Sequence, residues 1–304
     1  MYGSILYEVK YMQNMLIKEY IKKILQTYVY QDWNIAIAER NDDFSLKNIC
    51  WMKHSYNDRW FADPFIVDDT EDAYIVLVEE YMHATRLGRL ARLTVSKHDC
   101  TLLKNETILD IKTHLSFPNP IIIDGKMYIY PENGAAGNTK YYAYGEQLKP
   151  EGVLSELPLA DATITQIKGQ YYMFATLNEE CNGNNLRVYK SNAPLSGYTE
   201  CQQIRFQDNI ARRAGNVFEW NGQLLSPAQV CNNHYGEGIS LQVLEENGGR
   251  ISLKEVKRLM PPTKEYPEGF HTYNVYKDNV VVIDGYRYGS KFLHNLYFKI
   301  RKHI

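Results

Sequence analysis

Short apolar runs separated by polar turns dominate the chain from Trp33 onward. Five segments share one pattern, in which an apolar run, a tight turn and a second apolar run follow one another. Asp-Gly and Asn-Gly between apolar runs are strong signals for a β-hairpin, and they occur at Asp124-Gly125 and Asn221-Gly222. The third segment turns at Lys168-Gly169. The five predicted hairpins are ADPFIVDDTEDAYIVLVEE, FPNPIIIDGKMYIYPEN, ADATITQIKGQYYMFAT, RRAGNVFEWNGQLLSPAQ and FHTYNVYKDNVVVIDGY.

The hairpins recur about every 45 to 55 residues, a spacing that fits one four-stranded propeller blade per repeat. Each hairpin would form the two inner strands of a blade, and linking segments such as GRLARLTVSKHD and NLRVYKSNAP would form the outer two. An early strand over residues 33–39 would close the ring against the last blade. We therefore predict an all-β fold, a five-bladed β-propeller over residues 32–304. A two-domain β-sandwich is the alternative, which explains the strands but not their repetition.

The N-terminal residues have a different pattern. Residues 10–30 place apolar side chains at helical spacing, with lysines largely on the other faces. This predicts a short helix within an N-terminal extension, residues 1–31, packed on the propeller. The alternative is a basic amphipathic helix that contacts a membrane surface or a partner enzyme.

Charge and cysteine usage exclude several classes of protein. The 304 residues carry a net charge of -2 without a dense Lys/Arg stripe, which argues against nucleic-acid binding. The chain shows no secretory signal and no apolar run long enough to span a bilayer, so a cytoplasmic location is expected. The cysteines are odd in number, scattered and without a C-x-x-C pair, which favours free thiols in a reducing compartment over disulfides or zinc.

Polar residues gather at the open ends of the predicted hairpins, which would face one mouth of the central channel. In the first hairpin, Asp63 should lie close to Glu79 or Glu80 because the start of one strand pairs with the end of the other. The remaining blades would contribute Asn119 with Glu132, Asp161 with Thr176, Arg212 and Arg213 with Gln229, and His271 with Asp284.

Such a pocket has the groups needed to position a sugar and to protonate or polarise a glycosidic oxygen. The arginines suit bidentate binding of a phosphate or carboxylate. No phosphate-binding glycine loop, nucleophile elbow or metal-ligand spacing is present, so neither a cofactor nor a metal is predicted. The catalytic candidates are Asp63, Glu132 and Asp161, and the substrate-binding candidates are Glu80, Arg212, Arg213, Gln229, Tyr235 and His271.

An ordered set of motifs carries a family resemblance. WFADPF, VEEY, the PE of YPEN, the DAT of LADAT, ARRAG, PAQ followed by YG, and HT-N with a later IDG occur in that order over residues 33–288. They resemble the N-terminal domain of plant glucosamine inositolphosphorylceramide transferases and bacterial proteins encoded with polysaccharide-synthesis enzymes. More distantly the chain is similar to five-bladed propeller glycosidases, such as glycoside hydrolase families 32, 43 and 130.

The resemblance implies a role for Asp63. In those hydrolases an Asp before a Pro at the start of the first blade is the base or nucleophile, and Asp63 matches it. Asn119 occupies the place of a usual acid in the second blade, Arg213 that of a Pro after the family's Arg, and Ser226 that of an Arg before the PAQ proline. The general-acid Glu of family 43 has no match.

The expected function is therefore action on a glycosidic linkage in the synthesis of cell-surface polysaccharide or glycolipid. Asp63 would be the base or nucleophile, and Glu132 or Asp161 the acid. The partners would be a carbohydrate or glycolipid, with a sugar nucleotide as a further candidate. The alternative is a non-catalytic glycan-binding module that docks a partner glycosyltransferase.

Overall fold

A computed structural model of the protein describes residues 31–289 and shows a five-bladed β-propeller. Each blade is one antiparallel sheet of four strands. Blade 1 contains β3 (Arg59–Asp69), β4 (Ala73–Met82), β5 (Leu87–Ser96) and β6 (Leu102–Leu109). Blade 2 contains β7 (Ser116–Ile123), β8 (Lys126–Glu132), β9 (Thr139–Ala143) and β10 (Lys149–Ser155). Blade 3 contains β11 (Leu159–Ile167), β12 (Gln170–Leu177), β13 (Asn185–Ser191) and β14 (Thr199–Arg205). Blade 4 contains β15 (Phe218–Trp220), β16 (Gln223–Val230), β17 (Gly238–Asn247) and β18 (Arg250–Leu259).

Blade 5 closes the ring by joining the two ends of the propeller sequence. It combines β19 (Tyr273–Val275) and β20 (Val280–Tyr288) with the early strands β1 (Gln31–Arg40) and β2 (Leu46–Trp51), in the order β19-β20-β1-β2. The five-bladed fold and its closure by an early strand are thus confirmed. The β-sandwich alternative is wrong, because each predicted hairpin forms the first two strands of its own sheet.

The turn residues explain why the inner hairpins form where the sequence places them. Asp124 and Gly125 have φ of 49° and 75°, and Asn221 and Gly222 repeat these values. Two successive positive φ values are the requirement of the tight hairpin turn whose twist matches that of the strands.

Apolar side chains from neighbouring blades pack face to face and form the core. Between blades 1 and 2, Phe65 and Leu77 pack with Phe117 and Ile129, all buried. Burying one such side chain stabilises the fold by about 1.5–3 kcal/mol. The polar ends of the inner strands remain available for a site because the apolar residues lie between the blades.

Two short 3₁₀ turns, Gly134–Ala136 and Asn178–Glu180, are the helical elements of the described residues. The predicted N-terminal helix lies outside this part of the chain. Within residues 31–289 no helix has the length and hydropathy needed to cross a bilayer. Trp33–Gly285 form one compact unit, while the described residues 31–32 and 286–289 belong to a second unit.

One expectation about the cysteines is wrong. Cys50 and Cys100 form a disulfide with their Cα atoms 6.1 Å apart, although 50 residues separate them in sequence. Cys50 lies in β2 of blade 5, and Cys100 lies in the turn before β6 of blade 1. The sequence spacing gave no sign of this pair because ring closure brings the two blades together.

Candidate active site

A β-bulge is repeated at one end of the inner strand in blades 1, 2 and 3. The bulged residues are Asp63, Phe117 and Asp161, with φ of 52°, 46° and 45°. A bulge re-aims the side chain of its extra residue, and bulges are enriched next to active sites. Asp tolerates this left-handed region better than most residues. The bulge therefore places Asp63 and Asp161 at corresponding positions of two blades.

Asp63 is buried in a network between blades 1, 2 and 5. Its Oδ2 accepts a hydrogen bond from the Phe117 backbone N–H at 2.9 Å, and its Oδ1 accepts one from the Thr272 hydroxyl at 3.1 Å. The Asp63 backbone N–H donates to Oδ2 of Asp284 at 3.1 Å. Nδ1 of His271 lies 2.6 Å from Asp284 Oδ2 and 3.8 Å from Asp63 Oδ1. The structure thus brings Asp63 and His271 together as predicted, with Asp284 between their backbones.

These three residues are also where a cation could bind. One ligand atom from each of Asp63, His271 and Asp284 lies within 4.8 Å of the others, and all three residues are buried. Carboxylate and imidazole groups suit several divalent metals. The same atoms are engaged in the hydrogen bonds just described, so the group is held together by its own contacts.

A second network joins blades 2, 3 and 4 around Arg212. Its Nε donates to Oδ2 of Asp161 at 2.5 Å, and its Nη2 donates to Oε2 of Glu132 at 3.0 Å. The Gln229 amide also donates to Asp161 Oδ2, at 2.7 Å. The Asp161 backbone N–H donates to Glu132 Oε2 at 3.1 Å. Four predicted site residues are thus directly connected, and the remaining Arg212 nitrogen, Nη1, donates to Asn182 at 3.1 Å.

Aromatic rings surround the two networks. Trp33 stacks on His271 with ring centroids 4.1 Å apart, and Tyr235 meets His271 edge-on at 5.3 Å. The Arg212 guanidinium lies 5.1 Å from the centre of the Tyr235 ring. Trp60 and Tyr81 stack in parallel with centroids 4.4 Å apart. Tyr235 therefore lies at the site as predicted. The Trp60–Tyr81 pair belongs to the same end of the blade 1 hairpin as Asp63, a placement that the motif WFADPF alone did not reveal.

The two adjacent glutamates of blade 1 point to opposite faces of β4, and the predicted binding residue Glu80 is engaged by side chains of its own blade. Glu80 is fully buried and accepts hydrogen bonds from Arg59, Arg89 and Asn105 at 2.6–2.8 Å. These contacts hold β4 to its own blade, so Glu80 is placed away from Asp63. Glu79 instead interacts electrostatically with Asp63.

Arg213 does not join the networks either. It is fully buried and donates to the Ser226 hydroxyl, the Gln242 side chain and the Ile210 and Ala211 carbonyls, at 2.8–3.3 Å. All its donors are used within blade 4. Neighbouring residues in an extended segment point in opposite directions, which separates Arg213 from Arg212.

Asn119 is also displaced from its expected place. Its side chain donates to the Ala162 carbonyl at 3.1 Å, between blades 2 and 3. Phe117, two residues earlier, has the bulged position that corresponds to Asp63 and Asp161. The bulge of the second blade therefore carries an apolar residue that packs in the core, where the corresponding bulges carry Asp63 and Asp161.

Burial and charge give the carboxyl groups distinct proton affinities. Burial raises the pKa of Asp63 to about 6, and it raises the pKa of Asp161 to about 7 although Arg212 opposes this shift. Burial also acts on Asp284, but the His271 imidazole outweighs it and lowers the pKa of this carboxyl. Burial opposes charge on His271, whose pKa is nevertheless raised by Asp284. Carboxyl groups with separated pKa values are the arrangement that acid–base catalysis uses.

Comparison with known proteins agrees with this architecture. The family model described as "Glucosamine inositolphosphorylceramide transferase 1, N-terminal" matches residues 33–266. The chain belongs to this family. It is 25% identical over 247 residues to glucosamine inositolphosphorylceramide transferase 1 of Arabidopsis thaliana, covering 70% of this chain and 32% of the relative. The protein of the same name from Oryza sativa subsp. japonica is 26% identical over 201 residues, covering 63% and 27%. The chain thus spans about a third or less of the length of these curated relatives.

Solved structures share the fold at low sequence identity. A thermostable family-43 glycoside hydrolase superposes with a TM-score of 0.54 and 13% identity, covering 77% of this chain and 89% of that one. The Bacteroides ovatus protein GH43B of a xyloglucan PUL gives a TM-score of 0.53 and 12% identity, covering 74% and 51%. Both similarities concern the fold alone.

Proposed function

We propose that this family member is a carbohydrate-active propeller that breaks or forms a glycosidic bond, as a glycosyltransferase, transglycosidase or hydrolase. The observation that carries the proposal is the set of buried carboxyl groups that neighbouring blades direct to one end of the ring. Glycosidic chemistry needs one carboxylate as base or nucleophile and one neutral carboxyl as acid. Asp63 is the base or nucleophile, because its bulge presents it beside His271 and Asp284 at the start of blade 1.

The contacts of Arg212 favour a positioning role over direct binding of the substrate. It was expected to bind an anionic part of the substrate, but Asp161, Glu132 and Asn182 engage all three of its nitrogens. Arg212 therefore holds the carboxyl groups of Asp161 and Glu132 in position and connects blades 2, 3 and 4 at the site.

Aromatic faces supply the means of holding a sugar. The parallel Trp60–Tyr81 pair and the Tyr235 ring lie around the carboxyl groups and are partly exposed. Sugar rings present apolar C–H faces that pack on such side chains, while the phenol hydroxyl remains able to hydrogen-bond. The name of the curated relatives, glucosamine inositolphosphorylceramide transferase, agrees with a carbohydrate ligand. Synthesis of a cell-surface polysaccharide or glycolipid is the proposed setting.

A non-catalytic glycan-binding module is the second candidate. It is favoured by one observation, namely that protein donors already engage both oxygens of Asp63. A carboxylate committed to the fold in this way could shape a pocket without reacting.

A thermal-shift screen combined with product analysis separates the two. The parent, Asp63→Asn and the exposed control Asp68→Asn are tested against monosaccharides, sugar phosphates, nucleotide sugars and short glycans. A bound ligand raises the midpoint of unfolding. We expect a ligand that stabilises all three proteins and is consumed only by the parent and by Asp68→Asn. Stabilisation without consumption in any of them would support the binding module and refute the enzyme.

A further inference from the structure

Glu79 interacts electrostatically with the carboxyl groups of both networks and makes no hydrogen bond within either of them. It is at the end of β4, paired across the hairpin with Ala62, the residue before Asp63. Its side chain is 6% exposed, and its buried Oε1 makes no hydrogen bond of good geometry among the described residues. A buried polar atom without a partner is rare in proteins and calls for a functional or structural reason.

The nearest basic group to Glu79 is His114, and the backbone fixes which of its nitrogens carries the proton. The Gly88 backbone N–H donates to His114 Nδ1 at 2.9 Å. Nδ1 must therefore be an unprotonated acceptor, and the proton of the neutral ring is on Nε2. Nε2 lies 3.3 Å from Oε1 of Glu79. A second proton on His114 would break the bond to Gly88, and burial also lowers the pKa of this imidazole. The Nε2–H of a neutral His114 thus faces Glu79 at close range without the geometry of a hydrogen bond.

Gly88 leaves the space that the Glu79 carboxyl occupies. A Cβ at this position would lie 2.4 Å from Glu79 Oε1 and 2.4 Å from the Leu115 carbonyl oxygen. Glycine inside a strand often marks a close approach of this kind. Gly88 therefore affects Glu79 in two ways. Its lack of a side chain leaves space for the Glu79 carboxyl, and its backbone N–H orients His114.

Burial and neighbouring negative charges disfavour a charged Glu79. Burial raises the pKa of Glu79 well above the usual range, and the negative charges of the Asp63, Glu132, Asp161 and Asp284 carboxylates add to this shift. Glu80, the next residue, contrasts with it. Burial acts on Glu80 as well, but Arg89, Asn105 and Arg59 outweigh it and lower its pKa. Adjacent glutamates therefore favour opposite protonation states.

We propose that Glu79 is the proton donor of the site, a neutral carboxylic acid that His114 and Gly88 hold in position. The inference rests on the proposed function and names its missing acid. As the bond between the anomeric carbon and the glycosidic oxygen breaks, its electron pair goes to that oxygen, which takes the proton of Glu79. Water or an acceptor hydroxyl forms the new bond to the anomeric carbon and gives its proton to Asp63. Exchange with solvent then returns Glu79 and Asp63 to their starting states.

Infrared difference spectroscopy of the unliganded protein tests the protonation state without any substrate. Spectra of the parent and Glu79→Gln are compared at neutral pH, with Glu71→Gln, an exposed residue of the β3–β4 turn, as matched control. We expect the carbonyl stretch of a protonated carboxyl in the parent and in Glu71→Gln, and its loss in Glu79→Gln. Gly88→Ala should shift this band because its Cβ displaces the carboxyl. A carboxylate signal for Glu79 at neutral pH would overturn the proposal.

The leaving group of the substrate distinguishes an acid from a structural residue. Methyl and 2,4-dinitrophenyl glycosides of galactose, xylose and glucosamine are offered to the parent, Glu79→Gln and Asp63→Asn. An acid is needed only when the departing oxygen is strongly basic. Glu79→Gln should therefore lose about 10²–10⁴-fold on methyl glycosides and much less on dinitrophenyl glycosides, whereas Asp63→Asn loses both. His114→Ala, which alters only positioning, should show a weaker form of the Glu79→Gln pattern and move the infrared band.

The outcomes separate this inference from the proposed function. Turnover that Asp63→Asn abolishes and Glu79→Gln leaves intact overturns the assignment to Glu79 and leaves the glycosidic activity standing. Equal losses by Glu79→Gln on both kinds of glycoside also contradict a proton donor. A neutral Glu79 in a protein that turns over no glycoside overturns the proposed function, and the donor role with it.

Discussion

Replacing Asp161 with Asn should change how the stability of the propeller depends on pH. Asp161 is 1% exposed, and its Oδ1 makes no hydrogen bond among the described residues. Burial raises its pKa from the usual 3.8 to about 7, even though Arg212 opposes the shift. The folded chain therefore binds this proton more tightly than the unfolded chain. The resulting stabilisation is complete below about pH 4 and is lost as the pH rises through about 7.

The size of this effect follows from the shift. Each tenfold change in proton affinity corresponds to about 1.4 kcal/mol, so the Asp161 proton contributes about 4 kcal/mol at low pH. Asn cannot take up this proton, but its oxygen still accepts from Arg212 and Gln229. The free energy of unfolding of the parent relative to Asp161→Asn should therefore fall by about 4 kcal/mol between about pH 4 and pH 8.

Urea unfolding followed by tryptophan fluorescence measures this difference at a series of pH values. Asp68→Asn, at an exposed position of β3, is the control and should run parallel to the parent. Parallel curves for the parent and Asp161→Asn would refute the reasoning, because they would show that Asp161 has the same proton affinity in the folded and unfolded chain.

Two further predictions concern the scaffold of the site. In Arg213→Ala, Oε1 of the buried Gln242 and the Ala211 carbonyl lose the donors that Arg213 gives them, and a cavity opens. We therefore expect the free energy of unfolding in urea to fall by about 3–5 kcal/mol; a fall below about 1 kcal/mol would contradict the buried placement. Replacing both Cys50 and Cys100 with Ser opens a loop of 50 residues. The added entropy of the unfolded chain should lower the free energy of unfolding by about 4 kcal/mol. The midpoint of thermal unfolding should fall in the double Ser variant and in the parent treated with reductant, whereas Cys201→Ser should have the midpoint of the parent. A midpoint of the parent that reductant does not change would contradict the disulfide.

Local rules account for what the sequence predicted correctly. The paired turn residues, Asp124-Gly125 and Asn221-Gly222 among them, adopt the positive φ values that tight hairpins require. Such turns depend on two adjacent residues and can therefore be predicted from a single sequence. Their repetition gave the number of blades, and the leftover strand at residues 33–39 gave the closure of the ring.

The direction of each side chain was harder to predict from the sequence, because it depends on strand register and on packing between blades. The bulge in blade 2 puts Phe117, rather than Asn119, at the position that corresponds to Asp63 in blade 1. The alternation of side chains along β4 directs Glu79, rather than Glu80, toward the candidate site. Arg212 reaches Asp161 and Glu132 from a different blade, which no local pattern encodes. Gly88 was a sequence signal that could have distinguished the glutamates, because the Glu79 carboxyl lies where a Cβ of Gly88 would be. Using this signal required knowledge of the pairing of β4 with β5.

The most direct test of the central claim is product analysis in ¹⁸O-labelled water. The parent and Asp63→Asn are incubated with the same panel of glycans and nucleotide sugars, and products are identified by mass spectrometry. We predict a new glycosidic product or a labelled free sugar with the parent and neither with Asp63→Asn; label in the sugar would indicate hydrolysis, and an unlabelled transfer product would indicate glycosyl transfer. Equal product from both proteins, or none from the parent, would contradict a glycosidic reaction centred on Asp63.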